Sequence, residues 1–334
     1  MACRSSSRRR FASSNRRSNV AWDFAAELRR WGPAGGVCPS RNFARSYCAR
    51  VARSHYENFT VTSLLLPRKL LSHFHAVYAY CRWADDLADE SGGGDTALSL
   101  LAWWQRDLQA CYDGTPKHPV MIALQQTIRA KAIPPEPFQN LLVAFRQDQT
   151  KPVYATFDEL LQYCQNSANP VGHLVLHLFD CYDAERAALS DYVCTGLQLA
   201  NFWQDVARDL TIGRIYIPEE DRRRFGYSPD ELHARKMTPE FRELMRFEIE
   251  RTRDFFHHGK PLLPMIPPRL RVDIDLFIRG GEAILNAIEH IDHDIWAHRP
   301  EVSKREKLKL FAAAILANQD ASPYLKSSLS TLLR

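Results

Sequence analysis

Two aspartate pairs are the residues of this chain best suited to chemistry. Asp85 and Asp89 lie within Arg82-Trp83-Ala84-Asp85-Asp86-Leu87-Ala88-Asp89-Glu90. Asp205 and Asp209 lie within Asn201-Phe202-Trp203-Gln204-Asp205-Val206-Ala207-Arg208-Asp209. Both stretches have helical patterns, and on a helix positions i and i+4 share a face with Cβ atoms roughly 6 Å apart. Each pair is therefore a short acidic ladder. Two ladders from distant parts of the chain read as opposing walls of one site. Carboxylates facing each other in a low dielectric repel strongly, so the arrangement calls for hard cations between them. Mg²⁺ fits, because it takes oxygen ligands and binds through one or two carboxylates plus the phosphates of a substrate.

A lone i, i+4 aspartate pair is usually a solvated face. Here the flanking residues argue otherwise. Tyr78, Arg82, Asp85 and Asp89 fall on one helical stripe, and Gln198, Asn201, Asp205 and Asp209 on another. Beside the first runs an apolar stripe of Leu70, Phe74, Val77, Cys81, Ala84 and Ala88, at the spacing of a buried helix face. The pattern fits the wall of an apolar cavity with polar groups at one end. Asp86 and Glu90 lie off the stripe and are expected to meet solvent or a salt bridge.

The elements that position these residues are helices. Helical patterns run over 42–56, 68–90, 96–113, 117–131, 136–150, 156–179, 184–210, 239–258, 268–295 and 303–318. Gly92-Gly93-Gly94 stops the first acidic helix. Pro134, Pro135 and Pro137 open the helix reaching Asp148, and Thr156-x-x-Glu159 reads as a capping box. Gly213-Arg214-Ile215-Tyr216-Ile217-Pro218 reads as an ordered loop after the second ladder. No run of alternating β-branched residues and no Gly-rich strand-to-helix turn appears, so the fold class is all-α. Nothing marks a domain boundary between 42 and 320. The expected organisation is a basic, disordered extension over 1–41, one helical domain over 42–320 and a tail over 321–334, with folding starting near Arg41–Tyr47.

Composition narrows the class. The chain is 45% hydrophobic with a net charge of +5. The basic excess is concentrated at the N-terminus, where residues 1–20 hold six Arg, six Ser and no acid. That argues against a broad nucleic-acid footprint and resembles an organelle transit peptide, with an over-long start or a basic arm as the plainer alternatives. The eight cysteines have no metal or redox spacing and read as free thiols of a reducing compartment. No stretch reaches the roughly 18 consecutive apolar residues of a membrane span. A cytoplasmic protein is expected, with peripheral membrane contact or organelle targeting by the leader as alternatives.

The chain resembles the squalene/phytoene synthases over roughly residues 44–318. The resemblance is carried by His55-Tyr56-Glu57-Asn58-Phe59, Tyr78 to Glu90, Tyr154-Ala155-Thr156-Phe157-Asp158-Glu159-Leu160, Tyr163-Cys164 with Ser167-Ala168-Asn169-Pro170-Val171-Gly172, Gln198 to Asp209, and Gly213 to Pro218. It implies a single-domain isoprenoid synthase bundle around a central cavity. It also implies Mg²⁺ held by Asp85, Asp89, Asp205 and Asp209. Tyr78, Arg82, Tyr163 and Asn201 match positions near the diphosphate, the reacting carbons or the cationic intermediate. Phe59, Cys81, Val171, Val193 and Leu197 match the walls of the prenyl channels, and Arg214 and Tyr216 fall in the loop that completes the substrate site.

Within the family, Arg279-Gly280-Gly281-Glu282-Ala283-Ile284-Leu285 resembles the hydroxysqualene synthase branch of bacterial hopanoid biosynthesis. The implied reaction ionises presqualene diphosphate with Mg²⁺, rearranges the cation and captures water, which makes the enzyme a carbon–oxygen lyase. Tyr163, Asn166, Asn169 and Asn201 are candidates to hold that water. The nearest alternative is a prenyltransferase coupling two molecules of farnesyl diphosphate, or forming phytoene. A hydride-using squalene synthase is another, and other squalene-pathway enzymes are expected partners. A non-catalytic mitochondrial assembly factor on the same fold is the rival of another class; such relatives tend to lose the four aspartates, which are present here.

Overall fold

A computed structural model describes residues 22–35, 38–54 and 67–318. Helices α1 (Phe24–Trp31), α2 (Arg41–Ser54), α3 (Arg68–Asp89), α4 (Gly94–Asp113) and α5 (Pro119–Lys131) form the first part. Then come α6 (Glu136–Gln147), α7 (Phe157–Ser167), α8 (Asn169–Leu178) and α9 (Ala184–Thr211). Two short helices, α10 (Glu219–Arg224) and α11 (Pro229–His233), precede α12 (Pro239–Gly259), a 3-10 segment (Lys260–Met265), α13 (Pro268–His290) and α14 (Lys304–Ala317). Among the described residues no strand forms; one isolated bridge pairs Val153 with Ile215. The all-α expectation holds.

Two large apolar clusters make most of the core among the described residues, with a small third one between α13 and α14. The first joins α1 to α6 around Tyr80, Trp83 and Trp104, with Trp83 and Trp104 stacked at 5.6 Å. The second gathers α7, α9, α12 and α13 around Phe202, Trp203, Phe241 and Phe256. Helix α9 packs most extensively on α12 and also against α8 and α13, whereas α3 packs on α2 and α5. The ladder-bearing helices thus lean on different halves of the core.

Helix starts follow local chemistry. Asp183 caps α9 by accepting from Arg186 N at 2.8 Å. Thr156 accepts from Glu159 N at 3.2 Å; the returning Glu159 carboxylate takes Ala155 N, one residue ahead of the expected partner. The full reciprocal capping box occurs instead at Ser228 and Glu231. Gly92, Gly93 and Gly94 adopt positive φ of 96°, 72° and 55°, a conformation only glycine takes readily, and they end α3. The predicted helix over 156–179 is broken at Ala168, because Pro170 has no N–H to continue α7 and instead opens α8.

The N-terminal boundary needs correction. Folding does not start near Arg41: α1 is capped by Asp23, whose side chain accepts from Ala26 N at 3.0 Å. Phe24 and Trp31 are buried in the first core cluster and Trp22 packs against it. Phe24 and Trp22 meet Trp83 edge-on at 5.4 and 6.3 Å. Glu27 accepts from Tyr47 Oη at 2.9 Å and from Arg50 at 2.7 Å. With eight residues, α1 is shorter than the 11–18-residue window in which helical periodicity declares itself. Tertiary docking, not its own pattern, holds it. No helix among the described residues is long and apolar enough to cross a membrane.

Candidate active site

The first ladder is at the C-terminal end of α3. Asp85 and Asp89 keep 44% and 47% of their side-chain surface exposed, and Arg82, on the same stripe, reaches Asp85 at 3.2 Å. Arg82 also pairs with Asp86 and, at 3.1 Å, with Glu90. Asp86, off the stripe, does not face solvent: it is 1% exposed and accepts from Trp22 Nε1 at 2.9 Å. Burial raises the Asp86 carboxyl to about 7 against the opposing pull of Arg82. Of the two off-stripe acids, Glu90 alone is exposed, and both meet the salt bridge expected of them.

The second ladder lies in the C-terminal half of α9. Asp205 is buried, and the Arg299 guanidinium grips it with two hydrogen bonds of 2.6 and 3.0 Å. Asn201 adds a third donor to Asp205 at 3.2 Å. Desolvation and the neighbouring Asp205 charge push the Asp209 carboxyl up to about 7. Desolvation also raises Asp85, and the Asp89 charge adds to the effect. Both ladders therefore carry mutual repulsion that a cation would relieve.

Arg214 brings the ladders together. Gly213, at φ +77°, turns the chain after α9, Arg214 N returns to Asp209 O at 2.9 Å and Ile215 N bonds Pro152 O at 2.8 Å. The Arg214 guanidinium pairs with Asp89 at 2.8 Å and is near enough to lower Asp209 through its charge. It also opposes the rise of the Asp148 carboxyl, which burial lifts to about 6. Asp148 accepts from Tyr163 Oη at 3.1 Å. Tyr216 stacks on Phe202 at 3.9 Å and lies 5.9 Å from Tyr163. Tyr163, Arg214 and Tyr216 thus share one polar corner with both ladders.

Among the described residues no group of three or more His, Cys, Asp or Glu side chains is gathered as a ready metal cage. The donor chemistry nevertheless suits Mg²⁺, which uses one or two carboxylates per ion and takes its remaining oxygens from substrate phosphates and water. In this structure arginines supply the positive charge: Arg82 and Arg214 at the first ladder, Arg299 at the second.

An apolar cavity of about 230 Å³ adjoins the first ladder. Its α3 wall is Phe74, Val77, Tyr78 and Cys81, its α8 wall Val171, Val175 and Leu178, and its α13 wall Leu270, Asp273, Ile274 and Phe277. Cys81 is one helical turn from Asp85. Cys81 and Val171, expected on the prenyl-channel walls, line this cavity, and so does Tyr78, expected near the diphosphate and the reacting carbons. Val193 and Leu197 are not on it: Val193 is buried in the second core cluster and Leu197 packs against that cluster. Phe59, with the whole His55-to-Phe59 motif, lies outside the described residues.

Sequence reasoning missed three residues. Arg299 reaches Asp205 from 94 positions away and follows no periodic element, so no local signal marks it. Asp148 was visible only as the end of a helix. Asp273 had a signal, an acid set between Leu270, Ile274 and Phe277 on one helical face.

With this geometry in view, comparison with known proteins is specific. The chain belongs to the squalene/phytoene synthase family, whose model matches residues 52–306. A squalene synthase from Alicyclobacillus acidocaldarius, HpnC, superposes with a TM-score of 0.73 at 44% identity, over 76% of this chain and 95% of that one. A dehydrosqualene synthase solved with a ligand gives 0.75 at 25% identity, over 86% and 98%. A phytoene synthase of Arthrospira platensis is 27% identical over 290 residues, 83% of this chain and 94% of its own length. Members of the family are isoprenoid synthases acting on prenyl diphosphates, and generally depend on divalent metal.

Proposed function

We propose that this protein is a hydroxysqualene synthase: it ionises presqualene diphosphate, rearranges the carbocation and captures water, releasing hydroxysqualene and pyrophosphate. The observation that carries the reading is the placement of two aspartate ladders around one arginine, Arg214, beside an apolar cavity that Tyr78 and Cys81 help to line. Such a site separates a charged end, suited to a diphosphate, from an apolar end lined almost wholly by hydrophobic side chains, as small-molecule pockets usually are. Greater identity to a squalene synthase (44%) than to a phytoene synthase (27%) favours a squalene-type substrate.

Asp85, Asp89, Asp205 and Asp209 would hold Mg²⁺, which when bound supplies Lewis-acid neutralisation of the departing pyrophosphate. The chain's own groups do the rest. Arg82, Arg214 and Arg299 carry guanidinium groups that can move from carboxylate to phosphate oxygens, for which their fork geometry is equally suited. The apolar walls keep bulk water from the cation, and Tyr78 presents an aromatic face to it. Tyr163, tied to Asp148, sets the polar edge of the corner where the carbon–oxygen bond breaks.

The test is product analysis by mass spectrometry. The protein is incubated with presqualene diphosphate and Mg²⁺, with and without NADPH, and separately with farnesyl diphosphate. Hydroxysqualene formed without NADPH is the expected result. Squalene formed only with NADPH would refute the reading. A second reading, coupling of two prenyl diphosphates, is favoured by the phytoene synthase relatives; it predicts turnover of farnesyl or a longer prenyl diphosphate and none of presqualene diphosphate.

A further inference from the structure

The α13 wall of the apolar cavity contains one residue that packing does not explain. Asp273 is 4% exposed and lies among Leu270, Ile274 and Phe277, all lining the same cavity. Its Oδ1 has no hydrogen-bond partner. Other buried acids keep at least one partner, although Glu248 Oε1 is also unpaired. Asp275, two residues on, accepts from Arg279 at 2.9 Å and Asn318 at 3.0 Å. Asp107 accepts from Lys117 N and His118 N at 2.9 and 2.8 Å, and Glu248 pairs with Arg251 at 2.6 Å. An unsatisfied buried carboxyl is costly, and a leucine would suit that face better. Where stability is given up in a binding cavity, a functional return is the physical expectation.

The cavity's other polar groups are few. Asp273 is the one charged side chain on its lining, and Tyr78 the one hydroxyl. The amides expected to hold the terminating water are committed elsewhere: Asn169 accepts from Thr195 at 3.0 Å, Asn201 donates to Asp205 and Asn166 to Gln162 O. Tyr163 donates to Asp148. None of the four lines the cavity.

We propose that Asp273 is the catalytic residue that holds and deprotonates the water terminating the reaction, a role that rests on the hydroxysqualene reading above. A water needs polar partners to remain in an apolar cavity, and the Asp273 carboxyl with the Tyr78 phenol supplies two kinds. In the balanced step, the bond from carbon to diphosphate breaks and its electron pair leaves on pyrophosphate. After rearrangement, a lone pair of the water oxygen forms the new carbon–oxygen bond. The proton shed by that oxygen passes to the Asp273 carboxylate, and then to solvent as product leaves. Burial pushes the Asp273 carboxyl up to about 8, with Arg269 opposing; a carboxylate so raised is a stronger proton acceptor than an exposed one, and a cation beside it favours its ionised form.

The test compares the wild type with Asp273→Leu and Asp273→Asn on presqualene diphosphate and Mg²⁺ in ¹⁸O-labelled water. Pyrophosphate release, labelled alcohol, hydrocarbon by-products and Tm are followed together. Asp273→Leu should lower the alcohol share of products about tenfold or more in favour of hydrocarbons, with a smaller fall in pyrophosphate release. Its Tm should rise, which loss of a structural contact would not produce. Asp273→Asn, which still binds water but takes no proton, should give an intermediate alcohol share and decides the matter if the leucine variant fails to fold. A wild type that forms alcohol while the variants form it in the same share, or lose alcohol and pyrophosphate by one common factor, overturns the role of Asp273 alone. A wild type that forms no alcohol overturns the role and the proposed function together.

Discussion

Asp205 is the most constrained carboxylate of the two ladders, buried and held by Arg299 and Asn201. If the ladders act as one site, Asp205→Asn and Asp85→Asn should each cut turnover more than about tenfold, because each removes a charge that a phosphate-bridging cation needs. Far-ultraviolet circular dichroism should be unchanged, since neither side chain supports its helix. Full activity in Asp205→Asn would remove α9 from the site. The ladders were legible because i, i+4 spacing is a local property. Of the arginines opposing them, Arg82 and Arg214 took their roles only from the family resemblance, and Arg299 was hidden, because it and Asp205 meet only after the chain has folded. A second residue-scale prediction concerns Glu248, fully buried and paired with Arg251, which also pairs with the buried Asp221. Burial raises its carboxyl to about 8. The folded state thus holds a proton that the unfolded state loses at ordinary carboxylate pH. Its contribution to stability is fully present below the unfolded value and is lost as pH rises through about 8. Glu248→Gln mimics the protonated form, so its Tm relative to wild type should climb between pH 5 and 9. Parallel Tm curves would contradict the assignment.

At the scale of elements, the Gly280-Gly281 pair shows how a sequence signal can be right in location and incomplete in cause. The pair pointed to the hydroxysqualene synthase branch by resemblance. The structure gives the two glycines different tasks. A Cβ on Gly281 would meet the Phe256 ring at 2.3 Å, while one on Gly280 meets nothing within 4 Å. Gly196 of α9 faces the same ring, its Cβ position 2.9 Å away. Phe256 of α12 is therefore seated between glycines of α9 and α13, and these small residues set how closely the three helices approach. Gly281→Ala should destabilise by about 1–3 kcal/mol through overpacking, while Gly280→Ala should be neutral or stabilise by up to about 1 kcal/mol through helix propensity. Urea midpoints of the two variants check this, and equal midpoints would sink the seating argument. Helix types were legible because Pro, Gly and capping residues punctuate them locally. The break at Ala168 was hidden by apolar periodicity that continues through it.

For the whole molecule, the N-terminal region separates what pattern can reveal from what docking creates. Basic composition over 1–20 and turn residues from Gly32 to Pro39 make 1–41 look like a detachable leader, and truncation near Asn42 then appears harmless. The structure reverses that expectation. Removing residues up to Asn42 would delete α1, expose the faces of Tyr47 and Trp83 that it covers, and strip the Trp22 donor from Asp86. Two large aromatic side chains, Phe24 and Trp31, leave the core, each worth about 1.5–3 kcal/mol of burial. The loss of Trp22 leaves Asp86 with Arg82 as its remaining partner. Arg82 would then be drawn toward Asp86 and away from Asp85, so the damage extends from the molecular surface to the first ladder. Truncation at Asn42 should therefore lower Tm by about 10 °C and reduce turnover, whereas Trp22→Phe, which keeps the ring and loses the Nε1 donor, should reduce turnover with a smaller change in Tm. Differential scanning fluorimetry and pyrophosphate release on the two variants separate these effects. If the truncated protein matches the full chain in both, α1 is an ornament on the fold and its contact with Asp86 has no consequence for the site.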